Sequence, residues 1–178
     1  MPARLSKEAR SELMSRVKTA GTGPEVTLRH ALWKLGFRYR VNVRSLPGSP
    51  DIILPRYGTA IFVNGCFWHG HPRCKDYVLP KTNTDFWIEK VRKNRDRDER
   101  AWRALLAKGW EVVVVWECEL SKERLDDTVS SVVDTIRANG VAMRTRENSR
   151  KEENRRYRCE RSNRLKSSAE RDSGQSPS

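Results

Sequence analysis

The sequence predicts one mixed α/β domain with helices packed over a small central sheet. Short apolar runs at residues 51–54, 59–65 and 110–116, bounded by Gly and Pro, read as strands. Longer stretches at 24–36, 84–108 and 122–138 carry apolar residues at helical spacing. The resulting order is helix, helix, three strands, helix, strand, helix, which suits helices layered on a sheet.

The first helix is expected from Lys7 to Thr19, with Ser6 as N-cap and Glu8 in its first turn. A connection, Thr19-Ala20-Gly21-Thr22-Gly23, leads to a second helix opened by Pro24 and closed by Gly36. Leu28, Ala31, Leu32 and Leu35 form its buried stripe. Glu25 lies in the first turn, where the helix dipole favours an acid. Residues 38–44 alternate basic with aromatic or apolar and read as a half-exposed strand. With the strands at 51–54 and 59–65 they predict an antiparallel meander. A long helix follows from Thr84, the expected N-cap, to Lys108. Its ends are apolar and its middle, residues 92–100, is almost wholly charged, a pattern of solvated faces that also fits a phosphate-facing edge. Trp110 to Trp116 is continuously apolar, which predicts a strand buried on both faces. The last helix, Lys122 to Ala138, is expected to stop at Asn139-Gly140.

Beyond Met143 the composition changes. Residues 144–178 hold eleven Lys/Arg against six Asp/Glu, and their only large apolar residues are Tyr157 and Leu165. So little apolar area cannot offset the entropy of ordering, which predicts a domain at 1–143 and a basic disordered tail at 144–178. The tail carries net +5 of the chain's +13, leaving the body at +8. Such an excess, with a pI near 10.1, points to a polyanionic partner, and nucleic acid is the commonest. No stretch has the length of a membrane span, and the first ten residues lack a signal peptide's apolar core. The expectation is a cytoplasmic protein, in which four cysteines serve as metal ligands or free thiols.

Residues 61–74 concentrate the chemistry, with two of the four cysteines and two of the three histidines in fourteen positions. An apolar strand breaks at Gly65 into a loop too rich in Gly and Pro for helix or sheet. Cys66, His71 and Cys74, joined by the distant Cys118, suit a tetrahedral structural zinc site. Cys66 and Cys118 taken alone also resemble ordinary buried thiols. Asp51 opens a strand one hairpin before His69, so the two could hold Mg²⁺ and deprotonate a water. On spacing alone the blander readings prevail: a strand-end acid and a polar loop residue. Phe67-Trp68 and Trp87 fit either a capped core or wedges between base pairs.

Longer motifs go further. Leu46-Pro47-Gly48-x-Pro50-Asp51, Phe62-x-x-Gly65-Cys66-Phe67-Trp68-His69-x-His71, Thr84-x-Phe86-Trp87-x-x-Lys90-x-x-x-Asn94-x-x-Arg97-Asp98 and Gly109-Trp110-x-Val112-x-x-Val115-Trp116-Glu117-Cys118 occur in that order. Together they resemble the very short patch repair (Vsr) endonucleases, over residues 6–138. The resemblance implies a bacterial DNA mismatch endonuclease with a restriction-endonuclease-like fold and a central mixed sheet. It would nick beside the T of a T:G mismatch left by deamination of 5-methylcytosine, within a cytosine-methyltransferase site. It implies catalytic Mg²⁺ and structural Zn²⁺. Asp51 would be the magnesium ligand, His69 the general base and Glu25 an assisting acid. Cys66, His71, Cys74 and Cys118 would hold zinc. Phe67, Trp68 and Trp87 would intercalate, and Met14, Lys90 and Asn94 would touch DNA. The implied partners are double-stranded DNA, a DNA cytosine methyltransferase and repair proteins, for a monomer associated with the nucleoid.

The motif departs in two places. Val63-Asn64 replaces Thr-His, so a metal contact at 63 is left to the main-chain carbonyl of Val63. Asn64 can bond a phosphate but cannot carry a proton at neutral pH. Two residues, Pro72 and Arg73, separate His71 from Cys74 instead of one. The rival readings are a restriction-type nuclease of the same fold, a zinc-stapled DNA-binding module without catalysis and, disfavoured for want of a C-x-x-C pair, a thiol redox protein. The basic tail is expected to add non-specific electrostatic binding to DNA.

Overall fold

The computed structural model describes residues 20–172, with side chains to residue 158. The helix expected at 7–19 and Met14 lie outside the described residues. Helix α1 spans Gly23–Lys34, with Pro24 in its first turn and a capping box in which Thr22 and Glu25 bond each other's backbone N–H groups. Strands β1 (Arg40–Val41), β2 (Ile52–Leu54) and β3 (Thr59–Asn64) form the antiparallel meander. Helix α2 spans Thr84–Ala107 and returns the chain to β4 (Glu111–Trp116), which pairs parallel to β3. The sheet is therefore mixed, in the order β1-β2-β3-β4, and helix α3 (Leu125–Asp172) ends the fold.

Alternation along the strands divides the core. Ile52, Leu54, Ile61 and Val115 face α1 and α3, where they meet Leu28, Leu32, Val129, Val132, Val133 and Ile136. Ile53, Ala60 and Phe62, with Val112 of β4, face α2, where they meet Leu105 and Trp102. This period-two division is what a pleated strand covered on both faces requires.

Several expectations need correction. The strand at 38–44 shrinks to two residues because Asn42 adopts a left-handed φ of 48°, which ends the ladder. The strand at 110–116 has both faces covered, but it is the sheet's edge, and only Val115 within it is fully buried. Asn83, with positive φ, precedes the helix, and Thr84 is its first residue rather than its cap.

The largest correction concerns Asn139-Gly140, which does not stop a helix. It docks one. The Asn139 side-chain amide donates to the carbonyls of Tyr57 and Gly58. Gly140 lies so close to Tyr57 that an added Cβ would sit 2.6 Å from its ring. Gly58, at φ +56°, approaches Met143 on the next turn. Helix α3 then runs unbroken to Asp172, where a disordered tail was expected. Arg, Lys and Glu are good helix formers, and pairs such as Lys151–Glu147 at i,i+4 support it without tertiary contact. Residues 144–158 are all exposed.

Asn139→Ala separates docking from termination. Alanine is the better helix former, so removing a terminator would stabilise the protein. Losing buried carbonyl partners should instead cost about 1–3 kcal/mol, read from urea unfolding.

Candidate active site and metal centre

The functional side chains gather where β3 and β4 end. Asp51 precedes β2, which pairs antiparallel with β3, so it stands opposite the last residues of that strand. Its Oδ2 accepts the Val63 N–H at 2.8 Å. Glu25 is buried at the start of α1, and its two oxygens accept from the Gly21 N–H, the Thr22 hydroxyl and Arg29 at 2.8–2.9 Å. Arg29 also donates to the Asp51 carbonyl at 3.1 Å. The Glu25 carboxylate is thus both a helix cap and a buried charge near Asp51.

Burial pushes the Asp51 carboxyl up to about 6, and the Glu25 charge adds to this. The Val63 N–H, Arg29 and His69 oppose it, which puts His69 within electrostatic reach of Asp51. Asn64 ends β3 and is 4% exposed, and its side-chain Nδ2 has no hydrogen-bond partner among the described residues. By strand alternation it shares the α2 face of the sheet with Phe62.

The loop after β3 is held by α2. His69 Nδ1 pairs with Asp98 Oδ2. Asn94, one turn earlier, donates from Nδ2 to the Trp68 carbonyl at 2.8 Å. Gly70 takes φ +62° and comes so near Val91 that a Cβ would meet its methyl at 2.6 Å. Sequence reasoning assigned Asp98 no role, although a signal was present. Val91, Asn94, Asp98, Ala101 and Leu105 fall on one i, i+3, i+7 stripe, and within the charged middle of the helix only Asn94 and Asp98 escape full exposure.

Cys66, His71, Cys74 and Cys118 offer ligand atoms that all lie within 4.8 Å of one another. His71 Nδ1 is 3.4 Å from both the Cys66 and the Cys118 sulfur, and its ring stacks on Trp116 at 4.1 Å. Glu117 Oε1 accepts the Cys66 N–H at 2.9 Å, a second tie between the loop and the turn after β4. Burial raises the Cys66 thiol well above its usual range and raises the Cys118 thiol as well. A tetrahedral zinc site with bonds of about 2.3 Å has ligand-to-ligand edges of roughly 3.8 Å, so this three-sulfur, one-nitrogen set fits a metal such as zinc. Bound zinc would hold the thiols as thiolates.

Phe67, Trp68 and Trp87 pack edge to face with centroids 5.3–6.1 Å apart, and the exposed Phe86 extends the cluster at 5.3 Å from Trp87. The three expected intercalators are thus assembled from two separate elements. Lys90 is exposed on the same helix as Trp87.

Comparison with known proteins identifies the family. The family model of DNA mismatch endonuclease Vsr matches residues 3–75. The type II nicking enzyme V.XorIIP of Xanthomonas oryzae pv. oryzae is 48% identical over 121 residues, covering 68% of this chain and 88% of the relative. This chain belongs to the Vsr family of endonucleases. DNA mismatch endonuclease Vsr of Escherichia coli is 43% identical over 122 residues, covering 68% of this chain and 78% of the relative. A solved structure, the catalytic domain of homing endonuclease I-Bth0305I, superposes with a TM-score of 0.46 at 18% identity over 67% of this chain and 98% of its own. As a Vsr-family nuclease the protein acts on DNA, and no described helix is long and apolar enough to cross a membrane.

Two outcomes are expected. Chelation of the metal, or Cys118→Ser, should free the 65–74 loop, lowering the melting temperature and exposing thiols to alkylation; full protection after chelation would rule out a metal tie. In magnesium-free buffer Asp51 binds its proton more tightly folded than unfolded, so its effect on stability is harmless below about pH 4 and unfavourable above about 6. Asp51→Asn should therefore raise stability at pH 8 by up to about 3 kcal/mol, with the gain vanishing near pH 4 in melting scans.

Proposed function

We propose that this Vsr-family nuclease nicks one strand of duplex DNA beside the T of a T:G mismatch, within a cytosine-methyltransferase site. The observation that carries the reading is the His69–Asp98 pair at the same end of the sheet as the buried Asp51. In this reading Asp98 accepts from Nδ1–H and so fixes the imidazole with its Nε2 lone pair available. Nε2 takes a proton from water as the water oxygen bonds to phosphorus and one ester P–O bond breaks. Asp51 and the Val63 carbonyl would hold Mg²⁺. The ion, when bound, neutralises developing phosphate charge and acidifies water. Glu25 keeps negative charge beside Asp51, which favours a cation there. Asn64, with a free amide N–H, replaces a histidine as a neutral donor to the phosphate.

The aromatic cluster supports mismatch selection. Phe67, Trp68 and Trp87 would enter the stack beside the weakened pair, a cost of a few kcal/mol per step that a T:G site lowers. Lys90 and Asn94 flank them on α2 as candidate DNA contacts, and Met14 is the candidate minor-groove contact. Zinc on Cys66, His71, Cys74 and Cys118 would hold the loop that presents His69, Phe67 and Trp68. A cytosine methyltransferase supplies the context in which such mismatches arise.

The test is a nicking assay on end-labelled duplexes that differ only in one T:G or T:A pair, with Mg²⁺ present. A single-strand nick at T:G alone, abolished by Asp51→Ala, is expected. Asp98→Asn should lower kcat roughly 10²-fold with DNA affinity unchanged. Equal cutting of both duplexes would replace mismatch repair with a restriction-type activity. Binding without cutting would make the protein a non-catalytic DNA module.

A further inference from the structure

Helix α3 runs against β3 and β4. It begins beside the turn after β4, where the Thr128 hydroxyl donates to the Glu119 carbonyl. It reaches the start of β3 at Asn139, which bonds Tyr57 and Gly58. The catalytic residues lie at the other end of β3, roughly 20 Å away along six residues. From Met143 the helix continues away from that site for about 43 Å to Asp172. It therefore forms an arm on the pole opposite the active site.

Residues 144–158 carry seven Lys/Arg and three Asp/Glu, and all are exposed. At helical spacing Arg144, Lys151, Arg155 and Arg158 line one face, with Asn148 between the first two. The stripe spans roughly 21 Å. Glu152 and Glu153 project elsewhere around the helix, and Glu147 at its margin meets Lys151 in an exposed pair that water screens. This stripe follows the 4-3-4-3 spacing of a coiled-coil seam, and a second copy would place cation against cation there. Tyr157 is the one large aromatic or aliphatic side chain in these fifteen residues, too little for the apolar core of a protein interface. A row of cations at regular rise complements a phosphate backbone.

We infer that this arm binds a second DNA segment, through its phosphates and without regard to sequence, while the opposite pole holds the duplex to be cut. The protein is then two-handed, and it bridges segments. The inference rests on the DNA-cutting reading only in that the catalytic end holds the first duplex.

The experiment immobilises a T:G duplex, adds the full chain, and counts a labelled, fully matched second duplex retained on it. The comparison is Arg144→Gln, Lys151→Gln, Arg155→Gln and Arg158→Gln combined, since glutamine keeps the helix, which circular dichroism verifies. Retention of the second duplex should fall at least tenfold in this variant. The salt slope for binding matched DNA should drop by about 3 to 4, roughly one for each phosphate contact the variant loses. Nicking of the T:G duplex at low salt should stay within twofold, so a failure of the nuclease reading shows in a separate readout. Retention that is equal in both proteins overturns the inference. So does a full chain that holds the first duplex but never a second, which would lay the arm along the cut duplex. A full chain that sediments as a dimer, and a variant that does not, would assign the arm to self-association and overturn it too.

Discussion

The structure depends on how one loop without a hydrogen-bond ladder is held still. Residues 65–74 close only local turns on themselves, the His69 N–H donating to the Gly65 carbonyl and the His71 N–H to the Cys66 carbonyl, and they present His69, Phe67 and Trp68. Two outside anchors fix these turns in place. On one side Cys66, His71 and Cys74 meet Cys118 beyond β4, and Glu117 bonds the loop backbone. On the other, the α2 stripe of Val91, Asn94 and Asp98 takes up Gly70, the Trp68 carbonyl and the His69 ring. The parallel pairing of β3 with β4 makes this possible, because it brings the ends of both strands to one pole.

That pole is also where charge is costly. Asp51 and Glu25 are both carboxylates removed from water near each other, and Arg29, His69, the Val63 N–H and the cap donors offset them. Burying like charges together destabilises an empty site and favours a bound cation, so the same arrangement that lowers stability prepares the chemistry. The Glu25 capping box shows how one residue meets both demands. Its oxygens complete the helix terminus, and its charge remains in the site.

Helix α3 obeys a different economy on each half of its length. Up to Met143 it is a core helix whose valines and Ile136 cover the sheet. From residue 144 to 158 every residue is exposed, and the helix is held there by local propensity and exposed ion pairs, as a helix of charged residues must be. The break in composition was legible, but its consequence was not: a shift from apolar to charged residues ends burial without ending the helix.

By itself the sequence determined the order of the main elements, the meander and the candidate metal ligand set. Those depend on period, turn residues and the concentration of Cys and His, all of which are local. Its long motifs also carried the family. Only the tertiary structure decided that β4 lies at an edge, that Asn139-Gly140 docks a helix against Tyr57, and that Asp98 pairs with His69. Each of these joins residues 29 or more apart in the chain, or concerns a neighbour that is missing, and no local pattern records either. An Asn-Gly pair reads as a terminator because isolated helices end there. Its small size and free amide serve equally well where a helix meets another backbone, and only packing reveals which use was made of them.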